Sequence, residues 1–256
     1  MLTLLNRLAV PVACPGCGRP DVPVCPGCAA AVAGDRPRRV EADAARLDRL
    51  DGVAPLPVWA LADCAGGVRE LIVAWKDRDR ADLDGLLARA VRRAARTLAP
   101  ALRPAVGPSL LRVVPAPSSP GARLRRGRET TGVLAAAVAR GAGDAGLRAA
   151  VVPALRRRGR ARDQVGLGAR ARGDNLARAV EVRAGRVPGG AVCLLVDDVL
   201  TTGATLAAAE RVLEAAGCGV VGALVLAATP PPGTVTRSPR PGPSPGVHPG
   251  DTFGLV

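Results

Sequence analysis

The 256-residue sequence predicts an α/β fold: a doubly wound, mostly parallel sheet preceded by a small N-terminal four-cysteine zinc module. Three observations carry the prediction. Strand-like apolar runs at 58–62, 110–114, 149–155, 192–196 and 220–227 are separated by segments with helical apolar spacing. The runs at 192–196 and 220–227 are apolar without alternation, as in strands buried on both faces of a parallel sheet. Two C-x2-C pairs stand ahead of them in CPGCGRPDVPVCPGC.

Residues 1–13 are apolar but interrupted by Asn6 and Arg7, and they lack the basic start of a secretory signal. No run of about 18 uncharged apolar residues follows, so no membrane span is expected and the cytoplasm is the default compartment. Cys14, Cys17, Cys25 and Cys28 then form two tight Cys-Pro-Gly-Cys turns. Four thiolates complete the closed tetrahedral shell of structural Zn2+, leaving no open position for catalysis. A repeated redox pair or disulfides are the competing readings. Residues 1–33 are read as this module; without a core strand, its loss is expected to leave the sheet folded. Residues 34–57, charged and then Pro-rich, read as a linker, and 58–228 as the sheet domain.

Within that domain Val68, Leu71, Ile72 and Trp75 mark one helix face ending at Lys76. Leu83, Leu87, Ala90, Ala94 and Leu98 mark a longer helix. The strand at 110–114 closes on Pro115-Ala116-Pro117-Ser118-Ser119, followed by a basic stretch with Arg123, Arg125 and Arg126. A helix over 133–140, a strand over 149–155 and a second basic stretch leading into a helix come next. Residues 229–256 are rich in Pro, Gly and Ser; they cannot bury a core and read as a disordered tail holding the lone histidine, His248.

The most informative stretch is 192–206, VCLLVDDVLTTGATL. An apolar strand runs into Asp197 and Asp198; Thr201, Thr202, Gly203, Ala204 and Thr205 follow, and Leu206, Ala209 and Leu213 begin an amphipathic helix. A loop of hydroxyls and glycine at a helix N-terminus directs N–H groups at one point, which suits a phosphate. Ionised carboxylates only accept hydrogen bonds, so the acid pair suits sugar hydroxyls. A ribose diol beside a 5-phosphate satisfies both. The net charge of +14, carried by Arg with Lys76 as the only lysine, favours phosphorylated ligands, nucleic acid or acidic partners. The scarcity of aromatics, two Trp and one Phe, weighs against base stacking on single-stranded nucleic acid.

The 192–206 stretch resembles the 5-phosphoribosyl-1-pyrophosphate (PRPP) binding motif of type I phosphoribosyltransferases. Together with the cysteine knuckles, LIVAWKDRDRADL, VVPAPSSPGARLRRG, Gln164, Arg170 and Asn175, it resembles the ComF family over about residues 10–228. After Gly127 that family usually shows Phe-Asn-Gln, where this chain has Arg128-Glu129-Thr130. The resemblance implies a sheet of the type I phosphoribosyltransferase kind, PRPP with Mg2+ as substrate and an unidentified nitrogen acceptor. Asp197 and Asp198 would hold the ribose, Thr201 to Thr205 the 5-phosphate, and Ser118 and Ser119 with Lys76, Arg123, Arg125 and Arg126 the pyrophosphate side. Lys76 has a second reading, as a cation at a helix C-terminus. The family name also implies a non-catalytic alternative: an accessory protein in DNA uptake that meets single-stranded DNA or a helicase partner.

Overall fold

The computed structural model describes residues 12–33, 36–44, 47, 54–118, 128–157, 180–231 and 233–234. Its elements in chain order are α1 (Pro26–Val32), β1 (Arg38–Arg39), β2 (Val58–Asp63), α2 (Gly66–Asp77), α3 (Asp84–Val106), β3 (Leu111–Pro115), α4 (Thr130–Asp144), β4 (Ala149–Val151), β5 (Leu155–Arg157), β6 (Val180–Val182), β7 (Val192–Leu200), α5 (Ala204–Ala215) and β8 (Gly219–Ala228). A six-stranded sheet takes the order β1-β2-β8-β7-β3-β4. Every pairing in it is parallel except that of the edge strand β1 with β2. The mostly parallel α/β sheet expected from the sequence is therefore present.

Both faces of the sheet are covered, which is why its central strands are apolar throughout. On one face Leu194, Val196 and Leu224 pack with α2, α3 and α4. On the other, Cys193, Leu195 and Val225 pack with α5 and the β5–β6 ribbon. Alternation along β7 continues into the acid pair. Asp198 follows Leu194 and Val196 toward α2, and Asp197 follows Cys193 and Leu195 toward α5.

Several elements differ from the sequence expectation for identifiable reasons. The 149–155 run divides in two around Pro153, which supplies no N–H to a ladder. β4 stays beside β3, while β5 leaves to pair antiparallel with β6. β7 does not stop before the acids; Asp197, Val199 and Leu200 pair with Val225, Ala227 and Ala228 of β8. α3 runs past Pro100 and Pro104 because Leu102 and Val106 extend its buried stripe, and Gly107 ends it at φ 57°. Residues 34–57 do more than tether: β1 extends the sheet, and Val40, Ala44, Leu47 and Leu56 are buried in the α5-side core.

The cysteine module likewise shares a core with the sheet domain. Cys14, Cys25, Cys28 and Val32 are buried in one cluster with Val68, Leu71, Trp75 and Leu87. A Cβ on Gly16 would lie 2.7 Å from Cys28 Sγ, and one on Gly67 would lie 2.9 Å from the Gly16 carbonyl. The first knuckle thus sits directly on the start of α2. Beyond the other end of that helix, Arg80 Nη2 donates to the Pro23 carbonyl at 3.0 Å. The module braces α2 at both ends. Among the described residues, no helix is long and apolar enough to cross a membrane.

Candidate functional site

A cleft of about 310 Å3 opens where the carboxyl ends of β3 and β7 meet α2, α4 and α5. Its lining includes Lys76, Pro117, Ser118, Thr131, Arg157, Asp197, Asp198, Thr201 and Thr205. In a doubly wound sheet this end is where ligands bind, because strand-to-helix loops converge there. Lys76, Ser118, Asp197, Asp198, Thr201 and Thr205, all read from the sequence as site residues, are brought together. Thr202, Gly203 and Ala204 build the turn behind them rather than line the cleft. Ser119, Arg123, Arg125, Arg126, Gln164, Arg170 and Asn175 lie outside the described residues, as do most of the second basic stretch and nearly all of the tail.

The turn into α5 follows from its sequence. Gly203 stands at φ 81°, a left-handed conformation open to glycine at little cost. A Cβ there would also meet Leu47 Cγ at 2.7 Å. Thr202 Oγ1 accepts from the Ala204 N–H at 3.4 Å. The first-turn N–H groups of a helix have no intrahelical partners, and no acidic residue occupies the first turn of α5. This end of the cleft is therefore suited to an anion.

The acid pair is asymmetric. Asp198 is buried, and its Oδ2 accepts from Lys76 Nζ at 2.7 Å. Among the described residues Asp197 has no such paired cation; its Oδ1 accepts from the Asp198 N–H at 2.8 Å. Burial, and next the charge on Asp198, push the Asp197 carboxyl up to about 7, against the opposing pull of that N–H, Lys76 and Arg157. The site therefore holds one firmly paired carboxylate and one poised to ionise near neutral pH.

Two lining residues were missed as individual site residues. Arg157 was legible only as part of a basic run, yet its Nε donates to the Pro117 carbonyl at 3.1 Å and brings a cation to the loop after β3. Thr131 is buried in the first turn of α4, and its Oγ1 donates to the Ala116 carbonyl at 3.2 Å. A Thr-Thr pair entering a helix reads as an ordinary N-terminal signal, so nothing in the sequence marked it.

The four knuckle sulfurs lie within 4.8 Å of one another. A tetrahedral Zn–S distance of ~2.3 Å sets sulfurs ~3.8 Å apart, so the set fits a single zinc with slight contraction. Backbone N–H groups already serve the sulfurs: Cys25 N donates to Cys14 Sγ and Cys28 N to Cys25 Sγ, each at 3.4 Å. Burial raises the Cys14 thiol, but N–H groups of Cys25, Gly16 and Cys17 outweigh it and bring the group down to about 7. Burial and the neighbouring cysteines push Cys28 up. Crowded thiols of this kind are what a bound cation would relieve. Cys193 and Cys218 are buried within the sheet domain. Cys64 is only partly covered.

Residues 133–237 match the family model described as Phosphoribosyl transferase domain. The matched segment runs from α4 through β8 and includes Asp197, Asp198 and the 201–205 turn. It excludes Lys76, Ser118 and the four knuckle cysteines. The sheet is accordingly of the type I phosphoribosyltransferase kind. Among solved structures, the chain is similar to adenine phosphoribosyltransferase from Saccharomyces cerevisiae, at 17% identity over 56% of this chain and 68% of that one, with a TM-score of 0.34. It is also similar to adenine phosphoribosyltransferase from Rhodothermus marinus DSM 4252, at 21% identity over 55% of this chain and 66% of that one, with a TM-score of 0.33. No curated protein matches the chain.

Proposed function

We propose that the protein binds Mg2+–PRPP in this cleft and transfers its phosphoribosyl group to a nitrogen acceptor. The supporting observation is the meeting of an acid pair, a helix N-terminus and the Pro117–Ser118 loop in one space. Asp197 and Asp198 accept from the ribose hydroxyls. The first turn of α5, with Thr201 and Thr205, receives the 5-phosphate. Ser118, Arg157 and Lys76 face the pyrophosphate side, where Arg123, Arg125, Arg126 and Ser119 are assigned by resemblance. The acceptor nitrogen forms a bond to ribose C1 and the C1–O bond to pyrophosphate breaks. The electron pair leaves with pyrophosphate, and the nitrogen loses its proton to solvent. The transition state has oxocarbenium character, so positioning and charge stabilisation supply most of the rate.

Structural Zn2+ at Cys14, Cys17, Cys25 and Cys28 belongs to the same reading. The ComF resemblance also carries the alternative to it, a non-catalytic accessory protein in DNA uptake that meets single-stranded DNA or a helicase partner; the net charge of +14 favours that alternative. The deciding assay is pyrophosphate release from PRPP with Mg2+, screened over nucleobases, ammonia and small amines. Release with one acceptor is expected. A PRPP-binding preparation that releases none, yet binds single-stranded DNA in a salt-sensitive manner, would favour the non-catalytic alternative instead.

Lys76→Ala is expected to lower turnover more than PRPP affinity, because negative charge grows on the leaving pyrophosphate only as the bond breaks. Comparison of kcat with the PRPP dissociation constant checks this. Loss of PRPP affinity with kcat unchanged would assign Lys76 to ground-state binding.

The raised Asp197 carboxyl predicts two pH effects of opposite direction. The folded protein holds this proton up to about pH 7, against an ordinary value of 3.8. The associated stability is fully present below the unfolded value and is lost as pH rises through the folded one. Melting temperature should therefore fall between pH 5 and 8 through this group. PRPP affinity should rise over the same window, as the ionised carboxylate becomes an acceptor. Asp197→Asn should flatten both trends, which separates them from ionisation of the ligand's own phosphate. Unaltered trends in that variant would contradict the assignment.

A further inference from the structure

The geometry points to Arg128 as a positioning residue that holds Lys76 on Asp198 from outside the cleft. The inference rests on the reading of Lys76 and Asp198 as parts of the binding site. Lys76 lies in the last turn of α2, and helix carbonyls there lack intrahelical partners. Arg128 supplies one: its Nη2 donates to the carbonyl of Trp75, the neighbour of Lys76, at 2.6 Å. Its Nη1 pairs with Asp84, the first residue of α3. Asp84 closes the circuit, because Trp75 Nε1 donates to its Oδ1 at 2.5 Å. The guanidinium also stands 5.7 Å from the centroid of the fully buried Trp75 ring.

Three segments, the end of α2, the start of α3 and the sequence-distant approach to α4, thus converge on one indole and its carbonyl. Fixing both ring and carbonyl of Trp75 fixes the rotation of that turn about the helix axis. Successive helical side chains point about 100° apart, so the direction of Lys76 is fixed with it. Arg128 itself is absent from the cleft lining. Its Nε is buried without a partner among the described residues.

The test uses Lys76 as its own reporter. It is the only lysine, so acylation of a side-chain amine, read by peptide mass spectrometry, reports one residue. In the unaltered protein the Asp198 contact keeps this reaction slow. Arg128→Ala and Arg128→Met are each expected to accelerate it about tenfold, the size expected when a charge-assisted hydrogen bond is lost. Met keeps an unbranched apolar stem over Trp75, so it carries the test if Arg128→Ala does not fold. Asp198→Asn alone should accelerate the reaction similarly, and adding Arg128→Met to it should change little more. General loosening of the fold would instead speed acylation in both backgrounds alike. Acylation of Arg128→Met at the unaltered rate, or equal acceleration in both backgrounds, overturns the proposal. The labelling needs no PRPP, so a protein with this pattern that fails to bind PRPP would retain the positioning role and lose only the reading of the ligand.

Discussion

Joint replacement of Asp197 and Asp198 by Asn is expected to weaken PRPP binding roughly a hundredfold or more. Each carboxylate accepts from a ribose hydroxyl, and a hydrogen bond to a charged group is worth ~1.5–3 kcal/mol, so two such losses multiply. The single variants should differ. Asp198→Asn releases Lys76 from its partner at 2.7 Å, and the freed cation can partly compensate by meeting a ligand phosphate. Asp197→Asn has no such compensation, because no cation is paired to that carboxylate among the described residues. The fold should survive the double change or gain from it, since burial and the neighbouring charge already disfavour ionised Asp197. Isothermal calorimetry with melting curves on the same samples checks both parts. Unchanged affinity in a folded double variant would sink the site assignment.

The second large effect is expected from loss of the knuckle metal. Cys14→Ser with Cys17→Ser should abolish zinc in a metal analysis of protein purified under reducing conditions. It should also lower the melting temperature by about 10 °C or more, given the folding energy that structural zinc supplies and the size of this chain. The sequence alone suggests a separable module and a smaller effect. The structure argues for the larger one, because Cys14, Cys25 and Cys28 are buried in the same cluster as α2 and α3. The β7–β8 pairing should persist, while α2 loses its brace at Gly16 and Pro23 and with it part of the control over Lys76. A fully folded, metal-free protein under reducing conditions, melting like the untreated sample, would show that the four thiols need no cation.

Much of the site was legible because one continuous stretch encodes it. The unbroken apolar run before Asp197, the hydroxyl-rich turn and the helical spacing after it are local signals, and local signals survive in sequence. Lys76 was singled out by composition in a chain that otherwise uses arginine, and its contact with Asp198 places it beside the acid pair. What was not legible depends on contacts between distant segments. The Trp75–Asp84–Arg128 circuit joins residues 44 to 53 positions apart in two of its contacts, and no periodicity announces it. Arg157 reads as one arginine among many until β5 pairs with β6 and turns it toward Pro117. Residues 34–57 read as a linker because their buried positions are too sparse to show a period. Only the packing of Leu47 against Gly203 reveals that this segment backs the 201–205 turn.

The most direct test of the central claim is a calorimetric titration of Mg2+–PRPP into the unaltered chain, with ribose 5-phosphate as the comparison ligand. The two share the 5-phosphate and the ribose hydroxyls and differ in the pyrophosphate at C1. The cleft predicts one site per chain for PRPP, weaker binding of ribose 5-phosphate in competition with it, and loss of both in the Asp197→Asn, Asp198→Asn variant. PRPP binding that is absent, or that survives unchanged in that variant, would contradict it.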